Sequence, residues 1–360
     1  MRRAPKDPKP PCASFRIGAA CDRAYVTIDV GSVLDELSQR RQERDNAPDV
    51  ALMTVVAFFE DESIGRWLRP RIAAVAAKEP CRVILLDATR PANANSVSST
   101  ASGTQGQAAG DWIELGVADC SPESLASATS SLAHRTAPIA LIWASFDMAG
   151  DERFAALAPQ ARTIVYNSSA LERDENGLQA LCSFAQRETG AAIIDLAYLR
   201  LAPWQDAVAL FFDAKNVIHE LFDLRRVRIV SGSQAEAYYL LGWLASRLEW
   251  TGCGPRQFCN RFGTEVDFAI ETGGGRRRLQ RVRLDSSQTS FDAELQRGTP
   301  ESIELSVSGA VEYPRRFRPV TNIGTPALIE RALDAAVQDR IFLETLLAAG
   351  NILSRERGIE

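Results

Sequence analysis

Residues 50–87 read VALMTVVAFFEDESIGRWLRPRIAAVAAKEPCRVILLD, and the order of patterns inside this stretch decides the fold. Val50 to Phe59 is an apolar run rich in β-branched and aromatic side chains, short enough to be a strand buried on both faces. Ser63 to Lys78 then carries helical spacing, and Val83 to Leu86 is a second β-rich run. Strand, helix and strand in succession predict a βαβ unit and therefore a parallel sheet covered by helices.

Downstream the alternation continues. Strand patterns at Trp112 to Val117, Ile139 to Ala144 and Thr163 to Tyr166 flank helices at Pro122 to Ala133 and near Glu152 to Leu157. Residues 90–110 carry no charge after Arg90 and read as a polar surface loop with no core of its own. Asn167-Ser168-Ser169 can cap a helix from Leu171 to Glu188, and Ala192 to Leu196 is strand-like. Pro203 suits a first helical position. From there Trp204, Val208, Phe211, Ile218 and Phe222 fall on one face, which predicts a helix running to about Phe222. Leu224 to Val230 reads as a strand and Ser233 to Leu248 as a helix.

At Glu265 the period becomes two. Val266, Phe268 and Ile270 alternate with Glu265, Asp267 and Glu271, and Gly273-Gly274-Gly275 leads into Leu279 to Leu284. A hairpin is expected here, with carboxylates facing Arg281 and Arg283. Ser302 to Val307 and Ala310 to Phe317 extend it as an antiparallel meander, and Pro326 to Leu347 closes the chain as a helical region. The expected fold class is α/β: an N-terminal, mostly parallel sheet with flanking helices, then a second α+β domain with an antiparallel meander and C-terminal helices. Residues 1–30 read as a disordered extension, 31–165 as the first domain with its polar loop at 90–110, and 166–350 as the second.

Composition agrees with two domains. The chain has 360 residues, 46% of them hydrophobic, against a prior of about 150 residues per domain, so global disorder is excluded. Lys and Arg number 41 against 46 Asp and Glu, for a net charge of −5, so no overall positive field recruits nucleic acid. The apolar runs are too short to span a bilayer. The basic opening lacks the apolar stretch of a signal peptide. Seven cysteines, an odd number scattered along the chain, suit a reducing cytoplasm.

The search for chemistry returns little. Gly273 to Gly275 leads into a strand pattern and not the helix N-terminus that a phosphate site needs, which leaves Arg276, Arg277 and Arg278 as candidate anion contacts. Thr251-Gly252-Cys253-Gly254-Pro255 has no lysine after its glycines. His134 and His219 are the only histidines, and neither has the neighbours of a nucleophile's base. Cys253 and Cys259 lack the second pair of a zinc site, so a redox link between the two thiols is left as their open role. No catalytic residue, metal ligand or cofactor is expected. More informative is Tyr238 to Trp250, a helix apolar on nearly all faces whose Gly242, Ala245 and Ser246 admit a close neighbour, with Trp, Tyr and Arg of the kind that dominate protein contacts.

These segments resemble the glucose-6-phosphate dehydrogenase assembly protein family, known as OpcA. The resemblance is carried by Arg200-Leu201-Ala202-Pro203-Trp204-Gln205 and by Leu240-Leu241-Gly242-Trp243-Leu244-Ala245-Ser246-Arg247-Leu248-Glu249-Trp250. Met53 to Glu62, Glu79 to Asp87 and Tyr166-Asn167-Ser168-Ser169 support it, so it covers about residues 50–285. Family members commonly have Thr-Pro-Trp-Arg where this chain has Ala202-Pro203-Trp204-Gln205, and often a glycine where Glu249 stands. The resemblance implies a non-catalytic protein that binds glucose-6-phosphate dehydrogenase and promotes its active assembly in the oxidative pentose phosphate pathway. Arg200, Pro203, Trp204, Gly242, Trp243, Arg247 and Trp250 are then the candidates for partner interface or core. The competing reading is a sugar-phosphate-binding enzyme or sensor, using Arg276 to Arg278 with Arg315, Arg316 and Arg318.

Overall fold

The computed structural model describes residues 26–43, 51–100, 110–145, 148, 150–170, 173–187, 190–213, 217–274, 278–298, 301–310, 314–320, 324–334 and 337–358. After helix α1 (Val30–Gln42), the first sheet is built from β1 (Met53–Phe59), β2 (Cys81–Asp87), β3 (Ser96–Thr100), β4 (Gly110–Gly116), β5 (Ile139–Ala144), β6 (Thr163–Tyr166) and β7 (Ala192–Asp195). Their order is β3-β4-β2-β1-β5-β6-β7. Every neighbouring pair is parallel except β3 on β4. The chain steps outward from β1 to β2 and β4, then returns to the far side of β1 and continues through β5, β6 and β7. The direction reverses between β1 and β5, the switch point at which doubly wound sheets hold ligands outside their strands' carboxyl ends.

Intervening helices are α2 (Glu62–Ala76), α3 (Pro122–Leu132), α4 (Glu152–Leu157), α5 (Asp174–Ala185), α6 (Leu196–Leu199) and α7 (Ala202–Phe211), followed after β8 (Leu224–Ser231) by α8 (Gln234–Arg247). Covering both faces explains why β1 and β2 read as unbroken apolar runs. Val55, Ala57 and Phe59 pack with Leu68 and Ile72 of α2 on one side. Val56 and Phe58 face Trp143 on the other, in a core that continues without a break into the second sheet.

That second sheet joins β8 to β9 (Thr251–Gly254), β10 (Gln257–Cys259), β11 (Glu265–Thr272), β12 (Leu279–Ser286), β13 (Thr289–Gln296), β14 (Ser302–Gly309) and β15 (Arg316–Pro319), in the order β15-β14-β13-β12-β8-β11-β10-β9. Two C-terminal helices, α9 (Thr325–Leu333) and α10 (Arg340–Glu356), close the fold. The α/β class and a mostly antiparallel second sheet are as expected from the sequence, but β13 is an additional strand between the expected ones and the last strand is Arg316–Pro319 rather than Ala310 to Phe317.

Several local expectations are corrected. No hairpin joins β11 to β12, because β8 lies between them, parallel to β11 and antiparallel to β12. Gly273 and Gly274 therefore begin a connection that passes β8, and Arg281 and Arg283 face Glu294 and Asp292 of β13 instead. The helix from Pro203 stops at Phe211, where Phe211 and Phe212 pack on Phe291. Ile218 and Phe222 fall in a separate 3-10 turn and are exposed. His219 sits in that turn with its side chain in solvent. The polar loop supplies an edge strand, β3, and buries Ala92 and Val97; its residues 101–109 lie outside the described residues, as do residues 1–25, Arg276 and Arg277. The first sheet also takes its seventh strand from beyond residue 165. Cys253 and Cys259 are joined by a disulfide across the β9–β10 hairpin, with Cα atoms 5.7 Å apart. No helix among the described residues is long and apolar enough to cross a membrane.

Candidate functional site

The short α6 ends at Arg200, whose guanidinium is the centre of a buried polar belt between the two sheets. It donates to Glu236 Oε1 at 2.9 Å, Ser169 Oγ at 2.7 Å and Asn167 Oδ1 at 3.1 Å. Glu236, on α8, is 2% exposed and accepts the Leu279 N–H at 2.9 Å through its other oxygen. One arginine thus ties the loop after β6 to α8 and the start of β12. Burial pushes the Glu236 carboxyl up, opposed by the Arg200 charge. Asp195 lies close by at the end of β7, accepting from the backbone N–H groups of Ser168 at 3.1 Å and Ala197 at 2.8 Å and from the Tyr239 hydroxyl at 2.9 Å. It too is pushed up by burial. Asp174 completes the group and accepts from Ser233 Oγ at 2.6 Å.

The other motif residues divide by exposure. Trp204 is buried beneath the start of α7, with Pro203 in that helix's first turn. Gly242 lies where α8 crosses α10: a Cβ there would stand 2.5 Å from Thr345 O and 2.8 Å from Ala349 N. Trp250 is buried and packs on Phe258 with ring centroids 5.6 Å apart. Trp243 is half-buried, and Arg247 reaches the surface, where it pairs with Glu344 of α10. Arg278 pairs with Glu301. Arg315 pairs with Glu304 at 3.2 Å, and Arg318 lies 3.9 Å from Asp206. Most of the aromatic signature is interior, Trp243 packing half-buried against the core, and Arg247 lies at the surface.

Glu249 adopts a φ of 55°, the left-handed region that favours glycine, which gives a physical reason for the glycine common at this place in the family. Glu249→Gly is expected to stabilise the chain by about 1 kcal/mol, read as a higher urea midpoint. An unchanged or lower midpoint would contradict it.

The switch-point crevice lies beside this belt. It encloses about 460 Å³ and is bordered by Ile64 and Trp67 of α2, Ser145 after β5, Asn167 and Ser169 after β6, and Arg200. In dinucleotide-binding sheets the first β-to-α turn is glycine-rich and offers free N–H groups to a pyrophosphate. Here the turn reads Phe59-Glu60-Asp61-Glu62-Ser63-Ile64-Gly65. Asp61 caps α2 and occupies the Ser63 and Ile64 N–H groups, while Gly65 lies against the Phe59 ring. The turn therefore leaves neither of these N–H groups open to a phosphate. Among the described residues no cluster of histidine, cysteine and carboxylate could hold a metal ion.

Among solved structures the fold is similar to an oxidoreductase from Sinorhizobium meliloti (TM-score 0.52, 11% identity, 86% of this chain and 97% of that one). It is also similar to KijD10, a 3-ketoreductase from Actinomadura kijaniata (TM-score 0.50, 10% identity, 85% and 97%). At such identities the likeness concerns the fold alone. In sequence, the chain is 28% identical over 311 residues to a curated OpcA protein of Synechocystis sp. named for the OxPP cycle, covering 76% of this chain and 63% of the relative. It is 29% identical over 191 residues to the OpcA of Nostoc punctiforme, covering 50% and 41%. The chain therefore spans less than two thirds of the length of these relatives. Residues 72–183 match the family described as glucose-6-phosphate dehydrogenase subunit N-terminal domain, and residues 191–346 the one described as its C-terminal domain. With both family domains present in order, the chain belongs to the OpcA family of glucose-6-phosphate dehydrogenase assembly proteins.

Proposed function

We propose that this chain binds glucose-6-phosphate dehydrogenase and promotes its active oligomer in the oxidative pentose phosphate pathway, without itself catalysing a step. The observation that carries the reading is the ordered match of both dehydrogenase-subunit domains over residues 72–183 and 191–346. The acidic switch-point turn, in a fold otherwise suited to a dinucleotide, supports a non-catalytic role. A cytoplasmic setting, beside the NADPH that the pathway yields, belongs to the same reading.

In this reading the chain acts as an allosteric activator. A binding protein shifts its partner's conformational equilibrium only by its differential affinity for the two states. A hundredfold preference for the active form corresponds to about 2.7 kcal/mol. The exposed Arg247 and the half-buried Trp243 are the motif residues we take as candidates for partner contact. The test is dehydrogenase activity and co-purification with and without this chain. Addition is expected to raise activity and to carry the dehydrogenase into a larger complex on gel filtration; a cognate dehydrogenase that responds in neither assay would sink the proposal. The competing sugar-phosphate reading is disfavoured by the carboxylates at the switch point and by the carboxylates beside Arg278, Arg315 and Arg318. Saturable binding of glucose 6-phosphate to the isolated chain would restore it.

A further inference from the structure

We propose that the crevice at the switch point is a binding site for an uncharged, planar heteroaromatic molecule of nucleoside size. Its volume, about 460 Å³, falls within the range of small-molecule pockets, which runs from about 300 to 1,000 Å³. Ile64 and Trp67 of α2 form one wall, and Ile329 of α9 contributes to the lining with Ala144 and Tyr166 at the ends of β5 and β6. Arg71 stacks on Trp67 with its guanidinium carbon 4.4 Å from the ring centroid, which steadies the indole as a flat wall.

Charge selects the ligand. Beside the α2 end Glu60 is paired with Arg153 at 3.0 Å and Glu62 lies 3.6 Å from Arg69, while Asp61 already takes the Ser63 and Ile64 N–H groups that would greet an anion. At the other end Arg200 is neutralised by the buried Glu236 at 2.9 Å. Neither end offers a net positive charge to a phosphate or carboxylate. The polar side chains are also few and mutually bonded. Asn167 accepts through its carbonyl oxygen from both Arg200 at 3.1 Å and Ser169 at 3.0 Å, leaving its amide NH2 as a donor edge. A free hexose presents hydroxyls all round its ring and needs a partner for each when buried, whereas the base of a nucleoside needs apolar walls and one or two hydrogen bonds at its rim, its ribose staying hydrated at the crevice mouth. The lining is of the second kind.

The test titrates the full chain with adenosine by calorimetry, following tryptophan fluorescence in parallel, and repeats this with ADP, NADP+ and glucose 6-phosphate. Adenosine is expected to saturate with a Kd below about 1 mM, and each phosphorylated compound to bind about tenfold more weakly or worse. Trp67→Ala is expected to weaken adenosine binding by about tenfold or more, with Trp67→Phe retaining most of it. Ala144→Leu, which fills the crevice, should abolish binding while melting as the unaltered chain does. The proposal is overturned if adenosine fails to saturate at about 1 mM, if any phosphorylated compound binds more tightly, or if a folded Ala144→Leu binds adenosine unchanged. Because no dehydrogenase is present, failure here leaves the assembly role standing, and failure of that role leaves this site standing.

Discussion

Arg200→Ala is expected to cost the fold about 3–5 kcal/mol, the range for removing one partner of a buried ion pair, out of the roughly 5–15 kcal/mol that holds an ordinary domain together. The reason lies less in the lost contacts than in what stays behind. Glu236 remains 2% exposed, with the Leu279 N–H as a hydrogen-bond donor but no opposing charge. Ser169 and Asn167 lose their shared donor at the same time. The defect has a pH signature. Without Arg200 the Glu236 carboxyl, already raised by burial, rises further. An acid whose folded pKa lies above its unfolded value stabilises the fold at low pH and loses that contribution as pH rises through the folded value. The penalty should therefore shrink on acidification. Glu236→Gln in the Arg200→Ala background should recover a large part of the loss, because an amide oxygen still accepts from Leu279 without burying a charge. Urea denaturation of the four chains of this double-mutant cycle measures the coupling; additive effects would show that the pair is not the source.

Arg200 also shows how far the sequence could be read. Its place in a family-like segment marked it as important, but the choice between interface and interior turned on Glu236, many residues away. A charge inside the otherwise apolar Tyr238-bearing helix was the available signal: a carboxylate on a buried helix needs a partner. Asp195, ending the apolar run Ala192 to Ile194, was a similar clue. The parallel sheet was legible because strands buried on both faces leave continuous apolar runs. The second sheet was less so. Strand period gives no information about which strand lies next to which, so β11 and β12 looked like a hairpin although β8 separates them. Phe291, Ala293 and Leu295 alternate as a strand should, but the polar run Ser286 to Ser290 that leads into β13 and opens it has the composition of a loop. Ile218 and Phe222 keep the helical period of Trp204 by coincidence, and only the packing of Phe211 and Phe212 on Phe291 reveals where the helix from Pro203 stops.

Asp195 is expected to separate hydrogen bonding from charge. Asp195→Ala strands the Ser168 and Ala197 N–H groups and the Tyr239 hydroxyl, all in the interior. At about 1–3 kcal/mol for each of these three buried groups left unsatisfied, a loss of about 3–9 kcal/mol follows. Asp195→Asn should stay within about 1 kcal/mol of the unaltered chain at neutral pH. Both backbone donors fall on one oxygen, Oδ1, which an amide keeps, and the amide nitrogen can donate to the Tyr239 oxygen once that hydroxyl turns. The two carboxylic acids at this junction, Asp195 and Glu236, are both raised above their ordinary values of 3.8 and 4.5, chiefly by burial. Between those values and the raised ones the native state holds more protons than the unfolded state. Stability is thus expected to fall as pH climbs through that window. Asp195→Asn removes one titrating group and should flatten the slope, while leaving the contribution of Glu236. Denaturation at a series of pH values from 5 to about 8 reads both effects; parallel pH profiles for the aspartate and asparagine chains would show that Asp195 does not titrate within that window.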